Sequence, residues 1–230
     1  MQKLFQLVLL LTFLNGFSQV QEAPNFEAVD SLYREDQFYF GVTYNILNKK
    51  PYGVSQNSFS TGLDLGFLRD FPINKKRTVA IAPGLGFSYS NYKENLIIQE
   101  KDCGIDYSTI ASNAIYDKNK LSFYTVDVPI EFRWRTSTYE SHKFWRIYSG
   151  FKFSYVFLSK SSYLDKDNHY RVFNNSDINR LQYGAYLATG WNQWNFYAFY
   201  GLNDLFKKGE LNGNPIKMRT LNVGLMFYIL

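Results

Sequence analysis

Residues 121–135 read Leu121-Ser122-Phe123-Tyr124-Thr125-Val126-Asp127-Val128-Pro129-Ile130-Glu131-Phe132-Arg133-Trp134-Arg135. Tyr124, Val126, Val128, Ile130, Phe132 and Trp134 alternate with Thr125, Asp127, Glu131, Arg133 and Arg135. Successive side chains of a strand point to opposite faces, so this stretch has one apolar face and one charged face.

The same period of two returns along the chain. In residues 37–47, Phe38, Phe40, Val42, Tyr44 and Ile46 oppose Tyr39, Gly41, Thr43 and Asn45; in 58–69, Phe59, Leu63, Leu65 and Phe67 oppose Ser60, Gly62, Asp64 and Gly66. In 78–90 the second face is small throughout: Ala80, Ala82, Gly84, Gly86, Ser88 and Ser90. In 144–158, Trp145, Ile147, Phe151, Phe153, Tyr155 and Phe157 oppose Arg146, Gly150, Lys152 and Ser154. Residues 178–191, 194–203 and 218–230 complete a set of about eight strands, each near the ~9–11 residues that a tilted strand needs to cross a bilayer.

The connections alternate in length. Residues 48–57, 92–120, 159–177 and 204–217 are long and polar, whereas 70–77, 136–143 and Asn192-Gln193 are short. An antiparallel meander puts every second connection at the same end, so one end carries long loops and the other tight turns. That is the layout of an outer-membrane barrel, with short periplasmic turns and longer outer loops.

Alternation alone does not say which face looks inward. Trp134, Trp145, Trp191 and Trp194 share the parity of the apolar face and all fall at the short-turn end, as an aromatic girdle at the periplasmic membrane boundary would. The polar face carries Asp64, Asp127, Glu131, Arg133, Arg146, Lys152 and Arg180, which would be costly in a dry core unless every charge were paired. The fold expected is therefore all-β, an eight-stranded antiparallel transmembrane β-barrel, with these seven charges as a network filling the lumen.

The first residues lie outside that fold. Met1 to Ser18 opens with Lys3, runs through Leu7, Val8, Leu9, Leu10, Leu11, Phe13 and Leu14, and exits through Gly16-Phe17-Ser18, the pattern of a secretory signal peptide cut after Ser18. Residues 19–36, with Glu22, Glu27, Asp30, Glu35 and Asp36, read as a periplasmic lead-in, and 37–230 as the barrel domain. A single cysteine, Cys103, excludes a disulfide framework and a thiolate metal cluster.

Taken together, the signal peptide, the eight short strands and the stretch Val126-Asp127-Val128-Pro129-Ile130-Glu131-Phe132-Arg133-Trp134 resemble the outer-membrane β-barrel family of Bacteroidetes labelled porin family or PorT-like. The resemblance spans roughly residues 37–230. It implies residence in the bacterial outer membrane and, for some members, a part in type IX secretion and gliding. The chain departs from the common terminal Phe of such barrels by ending Met226-Phe227-Tyr228-Ile229-Leu230.

Eight strands leave an interior that side chains fill, which disfavours a general diffusion pore and leaves a narrow pore for small solutes as the alternative. No enzymatic activity, cofactor or metal is expected. His142 sits in a short turn, and His169, in a long loop with Ser161, Ser162, Asp165 and Asp167, lacks the fixed base and orienting group that nucleophilic catalysis needs. Nucleic-acid binding is not expected, because the net charge of +5 resides largely in turns and loops such as Lys49-Lys50, Lys75-Lys76-Arg77 and Lys207-Lys208. The expected partners are outer-membrane lipid and a protein in a surface or secretion assembly. Tyr92, Tyr107, Tyr116, Tyr163, Tyr170 and Phe173 form the candidate binding surface on the long loops, with packing of the same aromatics onto the barrel mouth as the open alternative.

Overall fold

The computed structural model describes residues 34–56, 58–102, 104–111, 113–136 and 144–229. The expected signal peptide, the expected lead-in up to residue 33, Cys103 and His142 lie outside the described residues. Eight antiparallel strands carry the fold: β1 Gln37–Asn48, β2 Thr61–Leu68, β3 Val79–Tyr92, β4 Lys118–Arg135, β5 Trp145–Leu164, β6 Leu181–Trp191, β7 Trp194–Gly201 and β8 Arg219–Ile229. Each pairs with its neighbours in sequence, and β8 returns to β1, with Phe38 opposite Ile229 and Asn48 opposite Arg219. Closure satisfies the backbone of every spanning strand without an open edge, as the bilayer interior demands.

The apolar face looks outward. Phe38, Trp194 and Phe196 are 62%, 64% and 74% exposed, whereas Asp127 and Arg133 are fully buried inside the ring. At the short-turn end, Trp145 meets Trp191 at 5.7 Å and Trp194 meets Phe227 at 5.0 Å, while Trp134 stands on the same outer face between Val79 and Ile147. A second aromatic level, Tyr44–Phe59 and Tyr89–Tyr124–Phe157, sits toward the other end. The tightest turn, Asn192-Gln193, closes β6 to β7 with Asn192 at φ 57°, a left-handed conformation that asparagine tolerates.

Beyond the second belt the structure departs from the loops expected there. β4 and β5 run to 18 and 20 residues, longer than a membrane crossing needs. Leu96–Lys101 pairs with Gly104–Thr109 as a hairpin, His169–Phe173 pairs with the outer end of β5, and Glu210–Leu211 pairs with Asn214–Pro215. A bulge lies between β4 and β5: Tyr124 faces Leu158 while Thr125 faces Val156, leaving Phe157 as the extra residue. From there the outward row of β5 changes parity, from Tyr155 and Phe157 below to Lys160 and Ser162 above.

Candidate functional site: the charged lumen and the capped outer mouth

The lumen holds its charges in two tiers. Nearer the outer mouth, Lys152 on β5 places Nζ 2.8 Å from Asp64 Oδ1 on β2 and 3.8 Å from Asp127 Oδ2 on β4. Ser88 on β3 donates to Asp64 Oδ1 at 2.6 Å and also bonds Asp127, whose other oxygen accepts from Thr125 at 2.8 Å. The ammonium group rests over the Phe199 ring at 4.8 Å.

Toward the short-turn end, Arg133 donates from Nε to Glu131 Oε2 at 2.9 Å and from Nη1 to Asp70 Oδ1 at 3.0 Å. Arg135 grips the same Asp70 through both terminal nitrogens, and the Tyr228 hydroxyl donates to Glu131 Oε1 at 2.9 Å. Arg146 stacks on Phe144 at 4.6 Å and lies near the rings of Tyr228 and Tyr148.

Between the tiers, inward Tyr39, Tyr186, Tyr197 and Tyr228 fill the bore. Paired glycines on β2 and β3 make this packing fit: a Cβ on Gly86 would collide with the Tyr39 hydroxyl, and one on Gly66 would come 2.6 Å from it. Among these side chains lies a cavity of about 10 Å³, lined by Tyr39, Asp64, Glu131, Lys152, Tyr186 and Tyr197 among others, space for about one water.

Of the charges expected in the lumen, Asp64, Asp127, Glu131, Arg133, Arg146 and Lys152 are buried there. Arg180 is a correction. The chain from Asn174 to Arg180 is irregular, β6 begins only at Leu181, and Arg180 is exposed outside the bore. Two members of the network were not singled out from sequence. Arg135 shares the charged parity of β4, so that signal was available, but Asp70 sits in a turn where periodicity says nothing about direction.

The outer mouth is covered by a second apolar core. Leu47, Tyr92, Leu96, Ile98, Tyr107, Leu121, Phe123, Val172, Ile178, Phe206 and Met218 are buried together within it. Tyr107 meets Phe206 edge-on at 5.8 Å, donates to Asp177 Oδ2 at 2.9 Å and accepts from Asn175 Nδ2 at 2.9 Å, pinning the hairpin across the mouth. Asn119 on β4 holds the hairpin's start by donating to the carbonyls of Glu94 and Leu96. Both carboxylate oxygens of Glu94 are buried without a hydrogen-bond partner among the described residues, and burial pushes the group up to about 8 against the pull of Lys50.

The six aromatics expected as a binding surface therefore divide. Tyr92 and Tyr107 are buried in the cap and unavailable to a partner, a correction that follows from the hairpin folding inward. Tyr116, Tyr163 and Tyr170 stack in a row at 6.3 and 5.8 Å, with Tyr163 buried and the other two half-buried. Phe173 remains exposed at 54%, and among the described residues Tyr52 and Ile115 are the most exposed large hydrophobic side chains of the outer loops. Asp165 accepts from the Tyr163 hydroxyl at 2.7 Å and from the backbone of Asp167 and Asn168, which holds its carboxyl at about 2. His169 is exposed at the start of its strand, while Ser161 and Ser162 are buried.

The sequence profile of the outer membrane protein beta-barrel domain family matches residues 17–207. Among solved structures, the chain is similar to Ail, the attachment invasion locus protein of Yersinia pestis, crystallised with the heparin analogue sucrose octasulfate. That pair shares 14% identity, covers 85% of this chain and 99% of the other, and has a TM-score of 0.40. Ail in a second crystal structure gives 14% identity, coverage of 84% and 97%, and a TM-score of 0.38. A protein from a study of asymmetric conductivity in engineered proteins gives 8% identity, coverage of 86% and 100%, and a TM-score of 0.22. No curated protein matches the sequence.

Proposed function

The chain belongs to the outer membrane protein beta-barrel domain family and resides in the bacterial outer membrane, and from that premise we propose that it is a closed, non-conducting and non-enzymatic platform that presents its folded outer cap to a protein partner. One observation carries the reading: buried ion-paired side chains and inward tyrosines fill the bore around a cavity of about 10 Å³, and an apolar core covers its outer mouth. A channel needs a continuous wet path, and a closed mouth leaves the outer surface as the part that meets other molecules. Tyr52, Ile115 and Phe173 are the exposed anchors available there.

Two measurements test it. The refolded full chain in a planar bilayer is expected to give no reproducible single-channel steps; regular openings would favour the alternative, a narrow pore through Lys152 and Asp127. Replacing Tyr52, Ile115 and Phe173 together by Ser is expected to deplete the proteins crosslinked to the barrel in its native membrane, and an unchanged set would remove the partner role. A tie to type IX secretion or gliding rests on the sequence resemblance alone, and the gliding of a deletion strain tests it.

A further inference from the structure

Ten residues separate Trp134 in the periplasmic belt from Tyr124 in the outer belt, or about 25 Å along the axis at ~3.3 Å per residue and a tilt near 40°. That is the height of a barrel's apolar band. Above Tyr124 the sheet of β4, β5 and residues 169–173 continues, and its two faces diverge in chemistry. The inner face carries Leu121, Phe123 and Val172 into the cap. The outer face continues the lipid-facing side with Lys118, Lys120 and Ser122 on β4, Lys160 and Ser162 on β5, and Arg171 beyond. Cross-strand pairing sets Ser122 against Lys160, Lys120 against Ser162, and Ser162 against Arg171.

These side chains form a place rather than a scatter. A cleft of about 80 Å³ on this face is lined by Lys118, Lys120, Ser122, Tyr124, Lys160 and Ser162. Lys120 lies over the Tyr89 ring at 5.3 Å and Lys160 over the Phe173 ring at 5.1 Å, so aromatic faces hold both stems. Among the described residues, no carboxylate forms an ion pair with Lys118, Lys120, Lys160 or Arg171. Like charges set side by side on one sheet repel one another unless an anion joins them. Lys120 stands four residues past Tyr124, roughly 10 Å above the apolar boundary, where lipid headgroups lie.

We propose that this cleft binds a phosphate group of an anionic glycolipid in the outer leaflet, with Lys118, Lys120 and Lys160 supplying the charge, Ser122 and Ser162 the hydroxyl donors, and the lipid chains lying against Tyr124 and Phe157 below. The location selects the source: the cleft opens sideways into the membrane surface, so a headgroup reaches it while its acyl chains stay in the bilayer. The inference does not depend on the partner-binding reading, because it needs no protein; the two share Phe173, whose ring lies under Lys160.

Native mass spectrometry of the full chain in detergent, with added bisphosphorylated lipid A, tests it. The wild type is expected to retain the lipid at least tenfold more than the triple variant Lys118→Gln, Lys120→Gln, Lys160→Gln, and more than it retains dephosphorylated lipid A. The double variant Lys75→Gln, Lys76→Gln in a periplasmic turn removes charge elsewhere and is expected to bind as the wild type does; heat-shifted gel mobility verifies that each variant is folded. Equal retention by wild type and triple variant, or an equal loss in the double variant, overturns the proposal. Full displacement of the lipid by millimolar inorganic phosphate also overturns it, in favour of a site for free phosphate.

Discussion

Asp70, in the turn after β2, and Arg135, at the periplasmic end of β4, are locked by two parallel hydrogen bonds of 2.9 and 2.7 Å with both side chains fully buried. The same carboxylate accepts from Arg133, and the Asp70 amide donates to Asp36 at 2.7 Å, so one residue ties the lead-in, a turn and a strand end together. Paired forks of this kind are the strong form of ion pair, and their value lies in what removing one partner leaves behind. Asp70→Ala removes the carboxylate that Arg135 grips with two bonds and one of the acidic partners of Arg133, whose Glu131 pair remains, while Arg135 keeps its bond to the Arg77 carbonyl. The expected cost is about 3–5 kcal/mol, read from urea unfolding in lipid vesicles, with Asp70→Asn losing less because it keeps an acceptor. A change below about 1 kcal/mol in the alanine variant would mean that water reaches this end of the bore.

The outer tier makes a separate expectation about cooperativity. Lys152→Met leaves Asp64 and Asp127 buried against each other and is expected to cost about 3 kcal/mol or more. Adding Asp64→Asn and Asp127→Asn removes the stranded charges as well and is expected to recover most of that loss, since a whole buried ionic cluster exchanges for neutral groups at little net cost. Strictly additive losses across the three substitutions would show that the groups do not act as a unit.

The barrel was legible because its signal repeats. In β4 the period of two fixes both the strand and its charged face, and the shared parity of Trp134, Trp145, Trp191 and Trp194 fixes the direction of the apolar face. Three things escaped that signal. Asp70 is a turn residue, so no period orients it. Arg180 fits the parity of β6 extrapolated backward, but the backbone there is irregular and the extrapolation fails. Tyr39, Tyr148, Tyr186 and Tyr228 face inward although tyrosine also suits the lipid boundary, and composition does not separate a bore-filling ring from a belt ring. The outer cap was half legible: the aromatics of the long loops left partner binding and packing onto the mouth as alternatives, and only the long-range packing of residues such as Ile98, Tyr107 and Phe206 decides for the core.

Glu94 gives the cap a pH dependence. Its carboxyl is raised from the ordinary 4.5 to about 8 by burial, with Lys50 as the opposing charge and Asn119 bonded to its backbone carbonyl. A raised folded value means that the protonated acid favours the docked cap. That contribution is fully present below pH about 4.5 and is lost as pH rises through about 8, at a rate of no more than about tenfold per pH unit for one proton. Hydrogen exchange of residues 96–109 is expected to show opening that increases from pH 6 to pH 9 after correction for the intrinsic rate. Glu94→Gln is expected to flatten the profile, and a wild-type profile that is already flat would remove Glu94 as its source.

The strongest discrimination between a lipid-facing surface and a water-facing one comes from a single charge placed at mid-height. Ile130 lies four residues from Trp134 and six from Tyr124, close to the middle of the apolar band, and is 43% exposed on the outer face. Arginine there must be drawn into hydrocarbon or thin the bilayer around it, which costs about 2–4 kcal/mol at the midplane of a barrel and about 0–1 near its edges. Ile73, in a periplasmic turn and 59% exposed, provides the matched control outside the band. Ile130→Arg is therefore expected to lower stability in vesicles by about 2–4 kcal/mol and Ile73→Arg by less than about 1 kcal/mol, measured by reversible denaturant titration. On a soluble barrel both substitutions would be near neutral, because each would only exchange an exposed apolar side chain for a hydrated one. Equal, small effects at the two positions would thus contradict the outward apolar face on which the membrane assignment stands, while a gradient from Ile73 to Ile130 would measure the depth of the band directly.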